Sequence, residues 1–181
     1  MSRPSESLTS KDLPAGVFIG AGSRDGDRAG NMRAALDGLA AQGLSIRRVS
    51  SLYETEPVDL PGPERLLNGV FEVATVPPPD ELLALCLSVE RALGRRRDQG
   101  RLGSRPIDLD ILLYQDRVIR GDDLVIPHPR MHQRRFVLVP LAEIAPEAMH
   151  PLLRLTAAEL LKGCGDTSRV ELSAPPALWR R

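Results

Sequence analysis

The sequence predicts an α+β fold, a ferredoxin-like βαββαβ core with C-terminal additions. Three observations carry this: short apolar runs of strand length, two longer segments with one apolar face at helical spacing, and Gly or Pro punctuation that orders them β-α-β-β-α-β. Val17, Phe18 and Ile19 form an apolar run ended by glycines, so Ala15 to Gly20 is a first strand. A helix follows to about Ala41, with Met32, Ala35, Leu36, Leu39 and Ala40 on one face. Leu44 to Thr55, rich in β-branched and apolar residues, is a second strand, and Asn68 to Val76 alternates with period two as a third. Pro79 suits the first turn of a helix through Leu93, where Leu82, Leu85, Cys86, Val89 and Leu93 share a face and Glu81 complements the positive end of the dipole. Ile107 to Tyr114 is a fourth strand. Beyond Val118 come a helix from Arg130 to Val139 and another from Thr156 to Leu161. The expected organisation is a flexible extension over 1–13, one domain over 14–167 and a tail over 168–181.

Composition narrows the function. The 181 residues carry 24 basic and 24 acidic side chains, a formal charge of zero, with 42% apolar residues. Such balance argues against bulk attraction to nucleic acid. An RNA-binding module of this fold class would also need clustered aromatics, whereas the six here (Phe18, Tyr53, Phe71, Tyr114, Phe136 and Trp179) are scattered. Cys86 and Cys164 form neither a metal-type spacing nor a disulfide framework. No apolar run approaches the roughly 18 residues that span a bilayer, and the polar start lacks the apolar stretch of a signal peptide. A cytoplasmic monomer is expected, without nucleic-acid or membrane partners.

The charge is unevenly spread. Of the 24 basic residues only Lys11 and Lys162 are Lys, and six Arg fall between Arg91 and Arg105 against one acid, Asp98. The cluster directly precedes PIDLDILLY, in which Asp108 and Asp110 lie two apart and so project from one face of a strand. Paired carboxylates there must be neutralised by protons, Arg or a cation, and hard oxygen ligands favour Mg²⁺ shared with substrate phosphates. The plain alternative is a solvated sheet face beside a solvated basic loop. Bounded by Gly94, Gly100 and Gly103, the Arg run has the forked donors and backbone freedom of a phosphate lid. Gly20, Gly22 and Gly26 are spaced GxGxxxG and do not open a parallel βαβ series, so a dinucleotide site is not expected. His128 and His132 have ligand-like spacing but no third ligand, and a Walker A loop is absent. Nucleotide chemistry here must rely on Arg and metal.

From about Val17 to Leu161 the chain resembles the 6-hydroxymethyl-7,8-dihydropterin pyrophosphokinases of folate biosynthesis. The resemblance lies in GAGSRDG, SSLYETEPV, the Leu67-Asn68 pair, the Arg-rich loop, GSRPIDLDILLY and IPHPRMHQRRFVLVPLAEIAP. It implies a transferase, a kinase that moves the β,γ-pyrophosphoryl unit of ATP to the pterin hydroxymethyl oxygen and releases AMP. Two Mg²⁺ ions would be held by Asp108 and Asp110, with Arg95 and Arg105 catalytic. Matching ATP positions are Glu90, Arg97, Arg101, Ile111 (through its backbone), His128 and Arg134. Matching pterin positions are Thr55, Pro57, Val58, Asn68 and Phe136, the last by stacking. A catalytically silent binding relative is the alternative. Leu66 stands where the family commonly has an aromatic, Leu102 and Ser104 depart in the loop, and Arg24 replaces the usual Asn.

Overall fold

The computed structural model describes residues 16–56, 65–74, 77–95 and 106–179. Strand β1 (Val17–Ser23) leads into helix α1 (Arg28–Ala41), whose first turn is capped by Asp27 accepting from Gly30 N at 2.9 Å. Strands β2 (Ile46–Val49), β3 (Leu52–Thr55) and β4 (Leu66–Val73) follow, then helix α2 (Pro79–Ala92) with proline in its first turn, then β5 (Asp108–Tyr114). Short strands β6 (Ile119–Arg120) and β7 (Val125–Ile126) form a ribbon; helices α3 (Arg135–Ile144) and α4 (Ala157–Lys162) and strand β8 (Val170–Ala174) complete the chain.

The main sheet is six-stranded and antiparallel throughout, ordered β5-β1-β4-β3-β8, with β2 also paired to β4. This is the expected α+β arrangement. Each strand offers alternate residues to its two faces. On one face Val17, Ile19, Phe71, Val73, Leu109 and Ile111 pack with Met32, Leu39, Leu82 and Val89 of α1 and α2. On the other, Phe18, Val70, Leu112 and Leu113 pack with Val137 and Leu141 of α3. A bulge between β1 and β5 puts both Leu112 and Leu113 on that second face. Among the described residues the second face is covered only in part, and its open part is the site described below. Among the described residues no helix is long and apolar enough to cross a membrane.

Four elements differ from the sequence expectation. Strand β1 does not stop at its glycines but runs through Gly20 and Gly22 to Ser23, because both partners continue beside it: Gly22 lies between Asn68 of β4 and Asp108 of β5. The single second strand is broken at Ser50–Ser51, where the Ser50 hydroxyl donates to Ser51 O at 2.7 Å and accepts from Val70 N at 3.0 Å, a local alternative to the ladder. The helix expected over 130–139 is instead a 3₁₀ turn at Met131–Gln133, an extended Arg134, and α3. Asp166 Oδ2 accepts from Arg135 N at 2.8 Å and so caps α3 from outside, and α3 continues past Pro140 because Val137, Leu138 and Leu141 are buried. That burial outweighs the roughly 3 kcal/mol an interior proline costs a helix. Finally, the segment after Ser168, which carries no period in sequence, adds β8 to the sheet edge at β3 and places Trp179 in the core, 1% exposed.

Candidate active site

Because β5 has period two, burying Leu109 and Ile111 against the helices turns Asp108 and Asp110 to the opposite, open face. Gly20 and Gly22 of the neighbouring β1 lie on that face without side chains, so a pocket forms over the strand that the outer strands wall in. Asp108, Asp110 and Leu112 line it from β5, Leu66, Asn68 and Val70 from β4, and Thr55 and Glu56 from β3. Arg24 follows β1, and Arg130, Arg134 and Phe136 complete the lining from the other side. Three guanidiniums and two aspartates thus converge with one aromatic ring.

The polar groups are held firmly. Asn68 Nδ2 donates to Thr55 Oγ1 at 2.7 Å with both residues buried, which orients the amide. A Cβ on Gly22 would stand 2.9 Å from Asn68 Oδ1, so glycine makes room for that group. The Arg134 guanidinium lies 5.4 Å from the Phe136 ring centroid. On the acidic side Arg95 Nη1 donates to both Asp108 and Glu90. Glu90 is 1% exposed and also accepts from Leu109 N at 2.8 Å, so it ties α2 to the strand carrying both aspartates.

Asp110 keeps 47% of its side-chain surface open to the pocket, yet the protein around it thins its hydration. Burial, reinforced by the Asp108 charge and opposed by Arg134, pushes its pKa up to about 6. His128 has the opposite fate. Burial, then the Arg134 and Arg130 charges, pull its pKa down to about 4, so the imidazole is neutral at pH 7. His128 Nδ1 accepts from Arg130 N at 3.2 Å, which leaves the ring proton on Nε2, 4.0 Å from Asp110 Oδ2. The His128 N–H bonds Leu112 O at 2.9 Å and pins this segment to β5.

Among the sequence-predicted residues, Asp108, Asp110, Thr55, Asn68, Phe136 and Arg134 line this same pocket, with His128 and Arg95 bonded or adjacent to its aspartates. Glu90 stands behind the wall. The Ile111 side chain is in the helix-side core, 5% exposed, so only its main chain can face a ligand, on a strand that ends the sheet. Pro57, Val58, Arg97, Arg101 and Arg105 lie outside the described residues. Arg130, Glu56 and the Gly20/Gly22 floor were not selected from sequence. Their signal was the alternation GAG inside a strand, which resembles a phosphate turn, and Arg130 directly after the His128-Pro129 pair.

Among the described residues no group of three or more His, Cys, Asp or Glu could hold a metal. Two carboxylates alone fit Mg²⁺, which keeps its waters and shares one or two carboxylates with substrate phosphates, better than a cation needing a full protein cage.

Residues 18–146 match the family model of 7,8-dihydro-6-hydroxymethylpterin-pyrophosphokinase (HPPK). The chain belongs to the HPPK family. A 2-amino-4-hydroxy-6-hydroxymethyldihydropteridine pyrophosphokinase of Bacillus subtilis is 43% identical over 129 residues, covering 71% of this chain and 77% of that protein. The enzyme of that name from Aquifex aeolicus is 39% identical over 140 residues, covering 77% and 86%. A folate synthesis bifunctional protein of Arabidopsis thaliana is 42% identical over 128 residues, and this HPPK chain spans only 26% of its length. The crystal structure of wild-type Plasmodium falciparum HPPK-DHPS with pteroate shares the fold at a TM-score of 0.64 and 16% identity, over 82% of this chain and 44% of that one.

Proposed function

We propose that this HPPK chain transfers the β,γ-pyrophosphoryl group of ATP to the hydroxymethyl oxygen of 6-hydroxymethyl-7,8-dihydropterin and releases AMP. The observation that carries it is one pocket in which the Asp108/Asp110 pair opens beside the oriented Asn68 amide and the Phe136 ring. Phe136 covers a face of the flat bicyclic base. Because Asn68 donates to Thr55, its Oδ1 is presented as an acceptor for the N–H groups of the pterin. Arg24, Arg130 and Arg134 offer forked donors to phosphate oxygens, and Arg95 can exchange Asp108 for a phosphate. Family resemblance adds Arg97, Arg101 and Arg105 on the phosphates and Pro57 and Val58 on the pterin.

In the reaction the hydroxymethyl oxygen bonds to the β-phosphorus, the bond from that phosphorus to the α,β-bridging oxygen breaks, AMP leaves, and the hydroxyl proton is lost. Two Mg²⁺ ions held at Asp108 and Asp110 would neutralise the triphosphate and lower the hydroxyl pKa. The chain's own contribution is positioning: fixed donors around the triphosphate and a fixed base keep the two reacting atoms in one orientation. His128, neutral and donating from Nε2, supplies a hydrogen bond without adding charge. Monomeric action in the cytoplasm is part of this proposal.

The test is AMP formation from ATP by the purified chain. Production should require both the pterin and Mg²⁺, and Asp110→Asn should abolish it. Folded protein that makes no pterin-dependent AMP would instead be a silent binding relative.

A further inference from the structure

Trp179 lies 33 residues beyond the stretch matched to the family model. It is nonetheless one of the most enclosed side chains, 1% exposed. Its indole Nε1 donates to Ser50 O at 2.8 Å, at the break between β2 and β3. Its ring meets Phe71 edge-on at 6.3 Å and lies flush on Gly69, where a Cβ would stand 2.7 Å from the nearest ring carbon. Leu52 of β3 closes on the same glycine. Strand β8 delivers the tryptophan by pairing Leu172 with Tyr53 and Val170 with Thr55, and Arg33 of α1 bonds Leu178 O from the side. Opposite, Glu143 of α3 accepts from Ser51 N at 2.9 Å and from the Ser51 hydroxyl at 2.8 Å. The break is therefore gripped from both faces of the sheet.

That break sets how β3 lies on β4. Beyond it, Tyr53 pairs with Asn68 and Thr55 with Leu66, and the Asn68–Thr55 hydrogen bond depends on this register. Asn68 directly precedes Gly69, so the indole supports from below the stretch of backbone from which the Asn68 side chain points up into the pocket. We propose that Trp179 is a positioning residue for the pterin end of the site, holding Asn68 and Thr55 in place through Ser50 and Gly69. The inference rests on the pterin reading above. It assigns to the C-terminal segment a part in substrate affinity rather than in folding alone. The aspartates lie on β5, which β1 separates from the supported strands β4 and β3, so they should feel its loss less than Asn68 and Thr55 do.

The test is steady-state kinetics of the full chain with each substrate varied, for the unmodified protein, Trp179→Phe and Trp179→Ala. Leu82→Ala serves as a control, since Leu82 is fully buried in the same core on α2. Assays run well below every variant's melting temperature. Trp179→Ala should raise KM for the pterin about tenfold, through loss of both the Ser50 hydrogen bond and the ring beneath Gly69. KM for ATP and kcat should stay within about threefold, since the indole's contacts run to Ser50, Gly69 and Phe71, on the pterin side of the sheet. Trp179→Phe, which keeps a ring but not the donor, should fall between. Leu82→Ala should lower the melting temperature and leave the pterin KM alone. An unchanged pterin KM in Trp179→Ala, or equal changes in both KM values, would overturn the inference while leaving the enzyme reading intact. An unmodified chain without pterin-dependent AMP would overturn the enzyme reading itself, and the inference with it.

Discussion

Asp110 and His128 stand 4.0 Å apart and are shifted in opposite senses, so the ligand-free protein's pH response is set by two opposed ionisations. Asp110 holds its proton up to about pH 6 when folded but releases it near 3.8 when unfolded, so the stability it lends is full below 3.8 and lost as pH rises through 6. His128 titrates near 6.5 unfolded and about 4 folded, so its share is full above 6.5 and lost as pH falls through 4. Between pH 4 and 6 the two slopes oppose. Relative to the parent, the melting temperature of Asp110→Asn should climb more steeply with pH over this window, and that of His128→Asn less steeply. Thermal melts without Mg²⁺ or ATP check this, and parallel curves for all three proteins would refute it. Arg95 invites a second comparison. It sits on Asp108 while Glu90 holds it there, so Glu90→Gln should loosen Arg95 and shift Leu109 together. A loss of roughly 10- to 100-fold in kcat/KM is expected, the usual cost of removing a group that orients the ligating side chains.

At the scale of elements, two glycines of β1 make contrasting predictions. A methyl at Gly22 would meet Asn68 Oδ1 at 2.9 Å, whereas the nearest atoms to one at Gly20 belong to the Leu112 side chain, at 3.4 Å. Gly22→Ala should therefore weaken pterin affinity about tenfold by calorimetric titration, and Gly20→Ala should be much milder. Helix α3 makes another. Glu143 gathers the Ser51 N–H, the Ser51 hydroxyl and the Tyr53 hydroxyl, and Tyr53 is pushed up to about 12 by burial first and by the Glu143 hydrogen bond and charge second. Glu143→Ala should cost about 2–3 kcal/mol in denaturant unfolding, since hydrogen bonds to a charged acceptor are the strong ones. It should also let the Tyr53 phenol ionise at lower pH, visible by ultraviolet titration. These devices explain what was hard to read beforehand. The Asp pair was legible because a two-residue spacing has one meaning in a strand. Glu143 was not, because its partners lie about 90 residues away in sequence and a helix carboxylate ordinarily faces solvent. The glycines carried an ambiguous signal, since GxG marks a phosphate turn and a bare strand floor alike. Trp179, a lone aromatic after two prolines, had no period to announce it.

For the whole molecule, the sheet divides its labour between faces. One is sealed by α1, α2 and Trp179; the other, among the described residues, is partly covered by α3 and otherwise left to the pocket. Neighbours in a strand therefore answer to different constraints. Along β4, Leu67, Phe71 and Val73 sit in the sealed layer, while Leu66 and Asn68 look into the pocket. Scored separately for cellular abundance and for turnover per molecule, a saturation scan of this one strand should give two interleaved profiles. Odd positions would deplete the amount of protein, and even ones near its start would deplete its output. A library built to retune the ligand can thus draw on every second codon and leave the intervening ones alone.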